Sequence, residues 1–498
     1  MQRTEPSSGP RPIGSRPSSA NGAAIMMTRV AAEALYRQGL EPTVAMLIEL
    51  SRRVEAAEEK LRTNSSNSSK PPSSDPLAAP RSPRQQRSQR KRGGQPGHKG
   101  TTRPLLPPDA VDHVVACLPT ESCDCGGHVK REDVAPQRQQ KVELAPITPT
   151  VTEYQCYGGS CERCGRRHWG EIPKEVPAGM LGPRAMAVVV LLSGKYRLSK
   201  RQVEEILGDL LGIDVSLGTV SNTEARVSEA VAEPVQAARS FVQQQAVAYA
   251  DETGHKVAGK KAWMWVAATA SVSVFLIRFS RGADVAKELL GENFGGWLVS
   301  DRCNAYTWID VLRRQLCWAH LERDIIKISQ RGERSEEIGN VILEYVQAMW
   351  HLWHRFKSGE CSRPWLQKKM QPIRQAVEDL LGQGSVCGHS KTQNTCKRIL
   401  KLKAALWSFV DTPGVEPTNN FAERTIRAYV LWRKASFGTQ SERGNRFVER
   451  LMTVTATCRQ QRRNVLEYLT AAVQAHLCGH PAPSLLPQDN AVKVSRAA

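Results

Sequence analysis

No apolar run in this 498-residue chain is long enough to cross a bilayer. The longest, AMAVVVLLSG from Ala185 to Gly194, falls well short of the roughly 20 residues that a membrane helix needs, so no membrane partner is expected. Nor is a secretory leader expected from the first residues given. The first 25 residues are rich in Ser, Pro and Arg and hold no apolar core; they read as a loose tail (1–28) or as an extension upstream of a start at Met26 or Met27. The 13 cysteines are odd in number and cluster in short-spaced groups, which excludes a secreted disulfide scaffold and fits a reducing cytoplasm. Acids are outnumbered, 49 against 69 Lys and Arg, and the formal charge of +20 suits a polyanionic partner, nucleic acid first. From Leu77 to Pro108 there is no acid at all.

The chain is long enough for several domains. Over 29–63, Leu47, Leu50, Val54, Ala57 and Leu61 recur at coiled-coil spacing, so the segment either dimerises or packs as an amphipathic helix on its own chain. Over 64–108, NSSNSSKPPSSDP and the acid-free stretch make a linker and a cationic arm. Arg81, Arg84, Arg87, Arg90, Lys91, Arg92, Lys99 and Arg103 lie in that arm. Unopposed charge of this density collects counterions, whose release drives phosphate binding. Over 109–175, CDCGG (Cys123, Cys125) and CERCGRRH (Cys161, Cys164) form two knuckles followed by glycine, a zinc-ribbon-like pattern for one structural Zn2+. Cys117, Cys156, His128 and His168 are alternative ligands. Over 176–240, Ser199 caps one amphipathic helix, Gly212 ends it, Ser216 caps a second, and Pro234 closes the region. This outline suits a helix-turn-helix or a plain helical hairpin.

Two apolar runs stop on carboxylates. AVAYADETGHKV ends its apolar part at Asp251 and Glu252 and is expected to turn through Thr253 and Gly254; GGWLVSDRCNAY ends at Asp301. Glu252 should point away from Asp251, because strand side chains alternate. Between the two lie KAWMWVAATASVSVFLIRF, two strands with a turn near Ala270 and Ser271, and a short helix. RQLCWAHLERDI then gives another strand and a helix bearing His320, completing 241–330. A helical insertion fills 331–408. In 409–478, Glu423 stands in the first turn of a helix, where Asn420 and Glu423 also have capping-box spacing; the last 20 residues, 479–498, are a tail. A hairpin–helix–strand order can make the first and fourth strands neighbours, bringing Asp251 beside Asp301. Like charges so close call for a cation, and hard oxygen ligands suit magnesium.

NSSNSSKPPSSD, GGQPGHKG, DETG, SDRCNAY, CWAHLERD, PTNNFAERTIR and RKASFGTQSERG together resemble the insertion sequence 66 family of transposases, from about Val44 to Ala475. The resemblance implies a multidomain α+β chain with a ribonuclease-H-like core and an Asp, Asp, Glu metal triad, here Asp251, Asp301 and Glu423. It further implies two Mg2+ ions, with Asp251 bridging them, and cleavage and joining of DNA ends by a protein of the nucleoid. Arg424, Arg427, Arg433 and Lys434 would then contact phosphates, with Arg90, Lys91, Arg92 and Lys99 doing so from the arm. Element ends and target DNA are the expected partners, with a homo-oligomer and small accessory proteins of the same element. The rival reading is a zinc-containing DNA-binding protein that no longer cuts.

Overall fold

The computed structural model describes residues 29–65, 67–68, 104–173, 176 and 179–487. The cationic arm, with Arg90, Lys91, Arg92 and Lys99, lies outside the described residues. The chain divides into two units, Met1–Ala79 and Pro80–Ala498. In the first, helix α1 (Arg29–Arg37) meets α2 (Leu40–Arg62) at Gly39. Within this unit the heptad residues Leu47, Val54 and Leu61 of α2 are exposed.

Among the described residues of the second unit, those from 104 to 173 are largely extended and exposed, with a 3-10 turn at Pro108–Ala110 and a small hairpin, β1 (Gly158–Ser160) with β2 (Arg167–Trp169). Four helices follow: α3 (Pro183–Val190), α4 (Lys200–Leu211), α5 (Leu217–Ala230) and α6 (Ala232–Gln243). Ser199 caps α4 in a capping box with Gln202, Gly212 ends it in the left-handed region, and Ser216 caps α5. Pro234 does not close the region. It sits in the first turn of α6, where its missing N–H would be unpaired in any case. Helix α5 is packed by α3, α4 and two later helices, α14 (Glu442–Gln460) and α15 (Val465–Leu477), leaving a narrow exposed stripe at Gly218, Asn222, Arg226 and Glu229.

The central sheet has five strands: β3 (Val247–Val257), β4 (Lys260–Ala268), β5 (Ser273–Arg278), β6 (Trp297–Ser300) and β7 (Arg314–Leu316). Their order is β5-β4-β3-β6-β7; the first three are antiparallel, and β6 and β7 run parallel to β3. The expected turn at Thr253 and Gly254 is not there. Both residues pair within the hairpin, with Met264 and Trp263, and the chain reverses at Ala258 and Gly259 instead, both with positive φ (47° and 77°). Two left-handed central residues match the twist of a tight hairpin. The turn after β4 falls at 270–271, where Thr269 N–H donates to the Val272 carbonyl.

Helix α7 (Ala283–Leu290) packs against β4 and β5, and α8 (Trp318–Ser329) follows β7. Then come α9 (Glu333–Lys357), α10 (Arg363–Gly384), α11 (Ser390–Leu400) and the short α12 (Ser408–Asp411). Ile338, Ile342, Val346, Met349 and Trp353 line the buried face of α9 at three- and four-residue steps. Gln315 fastens the end of this helical stretch to the sheet, donating to the Leu406 carbonyl (3.0 Å) and accepting from Phe409 N–H (2.9 Å). Helices α13 (Asn420–Ser436), α14 (Glu442–Gln460) and α15 (Val465–Leu477) complete the unit.

Strand β5 is a sheet edge, and its outward amides need partners. Helix α14 supplies them at every turn: Thr457, Thr453 and Glu449 accept from the N–H groups of Ser273, Phe275 and Ile277 (3.2, 3.1 and 2.6 Å). Side chains one helical turn apart thus match alternate strand residues.

Candidate active site

Asp251 lies in the middle of β3 rather than at its end, because the hairpin with β4 carries β3 six residues further, to Val257. The reason for its exposure to chemistry is the neighbour. Parallel pairing with β6 stops at Tyr249–Val299 and β6 itself ends at Ser300, so the following stretch of β3 is open on that side. Asp301 is the first residue beyond β6. One of its carboxylate oxygens accepts from Cys303 N–H (2.9 Å), which fixes the turn into the 3-10 segment Asn304–Tyr306.

Glu423 arrives from α13. The start of that helix is tied down by Asn419, whose side-chain amide donates to the Ala250 carbonyl (2.8 Å), one residue from Asp251. Trp318 N–H donates to the Pro417 carbonyl (2.9 Å). The N-cap position belongs to Asn419, and it makes no side-chain capping bond; the capping box expected from Asn420 and Glu423 does not form. The Glu423 carboxylate instead stands 3.6 Å from His320 Nδ1 and within 4.0 Å of the Cys317 sulfur. Sequence reasoning placed His320 on its helix but missed its proximity to Glu423; the CWAH spacing, one turn of helix between Cys317 and His320, was the available signal.

Burial pushes the Asp251 carboxyl well above the usual carboxylate range, and the negative charges of Glu252, Asp301 and Glu423 push it further. Glu252 faces away from α13, as alternation requires: its oxygens accept from Tyr306 O–H (2.8 Å) and from Arg281 (2.7 and 3.0 Å). It nevertheless joins Asp301 and Cys303 in a group whose ligand atoms lie within 4.8 Å of one another; Cys317, His320 and Glu423 form a second such group. Among the described residues, Asp251, Asp301 and Glu423 do not themselves form a mutual group at that distance. Asp251 is near enough to feel the charges of Glu252, Asp301 and Glu423.

The four basic residues of α13 separate. Arg424, Arg427 and Lys434 are exposed and share a helix face by their spacing. Arg433 is turned inward, donating to Thr253 Oγ1 (3.3 Å) on β3.

Each cysteine knuckle is locally formed. Cys123 N–H donates to the Gly127 carbonyl and Cys161 N–H to that of Arg166, both 2.9 Å. Gly126 and Gly165 take positive φ (85° and 69°), which tight knuckles require. The Cys125 amide lowers the Cys123 thiol pKa, and the Cys164 and Arg163 amides lower that of Cys161. The four sulfurs of Cys123, Cys125, Cys161 and Cys164 are not gathered into one group.

Fold and site together define a class: a mixed α/β protein that collects carboxylates where parallel strands end, beside a helix that brings one more. The family model of IS66 transposases matches residues 178–446, more than half of the chain, and the protein belongs to that family. A family of unknown function, DUF6444, matches residues 19–104. The chain is similar to two uncharacterized proteins of Sinorhizobium fredii. It is 29% identical to y4qI over 252 residues, 45% of this chain and 46% of that relative. With y4hP it shares 23% identity over 424 residues, 78% and 76% of the two lengths. The chain thus spans about half of the first relative and three quarters of the second. Among the described residues no helix is long and apolar enough to cross a membrane.

Proposed function

We propose that this transposase has a ribonuclease-H-like core and cuts and joins DNA strands at the ends of its own element, with Asp251, Asp301 and Glu423 as the catalytic acids. The observation that carries this is the concentration of negative charge on Asp251 from Glu252, Asp301 and Glu423. Buried like charges are costly unless a cation shares them, which supports reading the three acids as the holders of two magnesium ions. When bound, magnesium supplies charge neutralisation for phosphoryl transfer. The chain's own residues do the rest: Cys303 N–H orients Asp301, Asn419 holds the Glu423 helix against β3, and Arg424, Arg427 and Lys434 line up for strand phosphates. The test is cleavage of DNA carrying the repeats that flank the gene, with and without magnesium, for the parent and for Asp251→Asn and Asp301→Asn. Binding without cleavage by the parent would favour the rival, a DNA-binding protein that no longer cuts.

Zinc at Cys123, Cys125, Cys161 and Cys164 is supported by the two knuckles and their acidified thiols; binding one ion would draw the knuckles together. Elemental analysis of purified protein should find about one zinc per chain, and metal-free protein with unchanged melting would remove the idea. The exposed Leu47, Val54 and Leu61 of α2 support pairing with a second copy through a coiled coil. A monomer in sedimentation at micromolar concentration would argue against it. The packing of α5 favours a structural role for the α4–α5 pair over direct reading of a groove.

A further inference from the structure

Between α3 and α4 the helix widens into a π turn, Leu191–Lys195, a rare geometry that recurs at functional sites. It is held tightly. A Cβ on Gly194 would overlap Leu451 of α14, and the Ser193 carbonyl accepts from Trp432 Nε1 (3.3 Å). The Ser193 side chain is left with no such role: it is 6% exposed, and its hydroxyl has no hydrogen-bond partner. An orphaned buried hydroxyl costs on the order of 1–3 kcal/mol, and this one belongs to the wall of a cavity of about 370 Å³.

The cavity lies between the α4–α5 pair and the turn from α13 to α14. Trp432 and Phe447 give it apolar wall, while Arg197 and Arg443 give it cations without a carboxylate partner among the described residues. Lys200, the third cation, is already tied to Glu224 (2.9 Å) and Ser221 (2.7 Å). The N-termini of α4 and α14 both border it through Ser199 and Ser441, and helix N-termini favour anions. Arg197 holds a positive φ of 70°, a strained conformation of the sort retained where function needs it. Just outside, Phe437 is exposed at φ 60° between lining residues Ser436 and Gly438.

We propose that this cavity takes one unstacked nucleotide of single-stranded DNA. The phosphate sits at the two helix N-termini between Arg197 and Arg443; the base enters against the Trp432 and Phe447 wall. The volume is in the ~300–1,000 Å³ range of small-ligand clefts, which admits a nucleotide but no duplex, and a paired base has no free face to bury. The proposal rests on the protein acting on DNA. It is independent of the metal site.

The test uses the full chain and a single-stranded oligonucleotide carrying one 5-iodouracil, photocrosslinked and mapped by mass spectrometry, with a duplex of the same sequence alongside. The single strand should crosslink within residues 432–447, and the duplex should not. Arg197→Glu with Arg443→Glu, both at exposed positions, should lower that yield about tenfold, the loss of a charge-assisted contact, while leaving melting unchanged. Crosslinks confined to residues 77–108, or a yield in 432–447 that the charge reversals leave intact, would overturn the cavity assignment while the transposase reading stands. Failure to bind either DNA would overturn both.

Discussion

Glutamine at position 423 keeps the shape of the native carboxylate and discards its charge. Because Glu423 makes no capping bond at the start of α13, and its side chain is 33% exposed, Glu423→Gln should melt within roughly 1 kcal/mol of the parent. It should still bind element ends and lose cleavage and joining as fully as Asp251→Asn; parent-like cleavage would send the search for the third acid elsewhere. Glu449 is a poor substitute, since it is buried and committed to Ile277, Arg278 and Arg446. His255 offers a pH test. Its Nδ1 accepts from Tyr429 O–H (2.5 Å), its Nε2 N–H donates to Thr439 Oγ1 (2.9 Å), and the Thr439 hydroxyl donates to Asn445 Oδ1. Every position is filled by the neutral ring, and burial lowers its pKa from 6.5 to about 4. The unfolded chain therefore takes up the proton first as pH falls. Stability from this residue is whole above pH 6.5 and lost between 6.5 and 4, up to about 3 kcal/mol. Melting curves of the parent and His255→Asn should differ in that window, and equal pH dependence would refute the role.

At the scale of elements, the turn joining α13 to α14 explains the FGTQSERG stretch. It is clamped to the end of β3: Ala258 N–H donates to the Thr439 carbonyl (2.8 Å) and Thr439 N–H to that of Lys256 (3.0 Å). Gly438 makes this approach possible, with φ 118° and no room for a Cβ against the Lys256 carbonyl oxygen. Gly438→Ala should cost at least ~2 kcal/mol through backbone strain and overlap, measured by denaturant unfolding. A cost below ~0.5 kcal/mol would mean that the turn moves freely. Since the same clamp holds the last turn of α13, whose first turn carries Glu423, the variant should also cut more slowly than its stability loss alone explains.

For the whole molecule, charge is the organising quantity. Removing residues 1–108 deletes the acid-free arm with Arg90, Lys91, Arg92 and Lys99 but leaves the Arg424, Arg427 and Lys434 stripe. DNA affinity should fall for all sequences alike, and its dependence on salt should flatten, because fewer counterions are released. Short substrates should still be cut. The same affinity and salt slope in the truncated protein would make the arm a solubilising tail.

The sequence alone determined what local rules control. Ser199, Gly212 and Ser216 bound their helices because caps act on the nearest turn. Residues 331–408 read as helical, Asp251 and Asp301 stood out at the ends of apolar runs, and Glu423 stood out in the first turn of a helix. Distant partners decided the rest. Thr253 and Gly254 resemble a turn locally, yet β4 pairs with β3 past both and moves the turn to Ala258 and Gly259. His320 meets Glu423, and Ser193 meets Trp432 of α13, across more than a hundred residues of chain, and no local pattern records such a meeting. Tertiary packing made those choices because strand pairing and burial are gained between segments that sequence neighbourhood keeps apart.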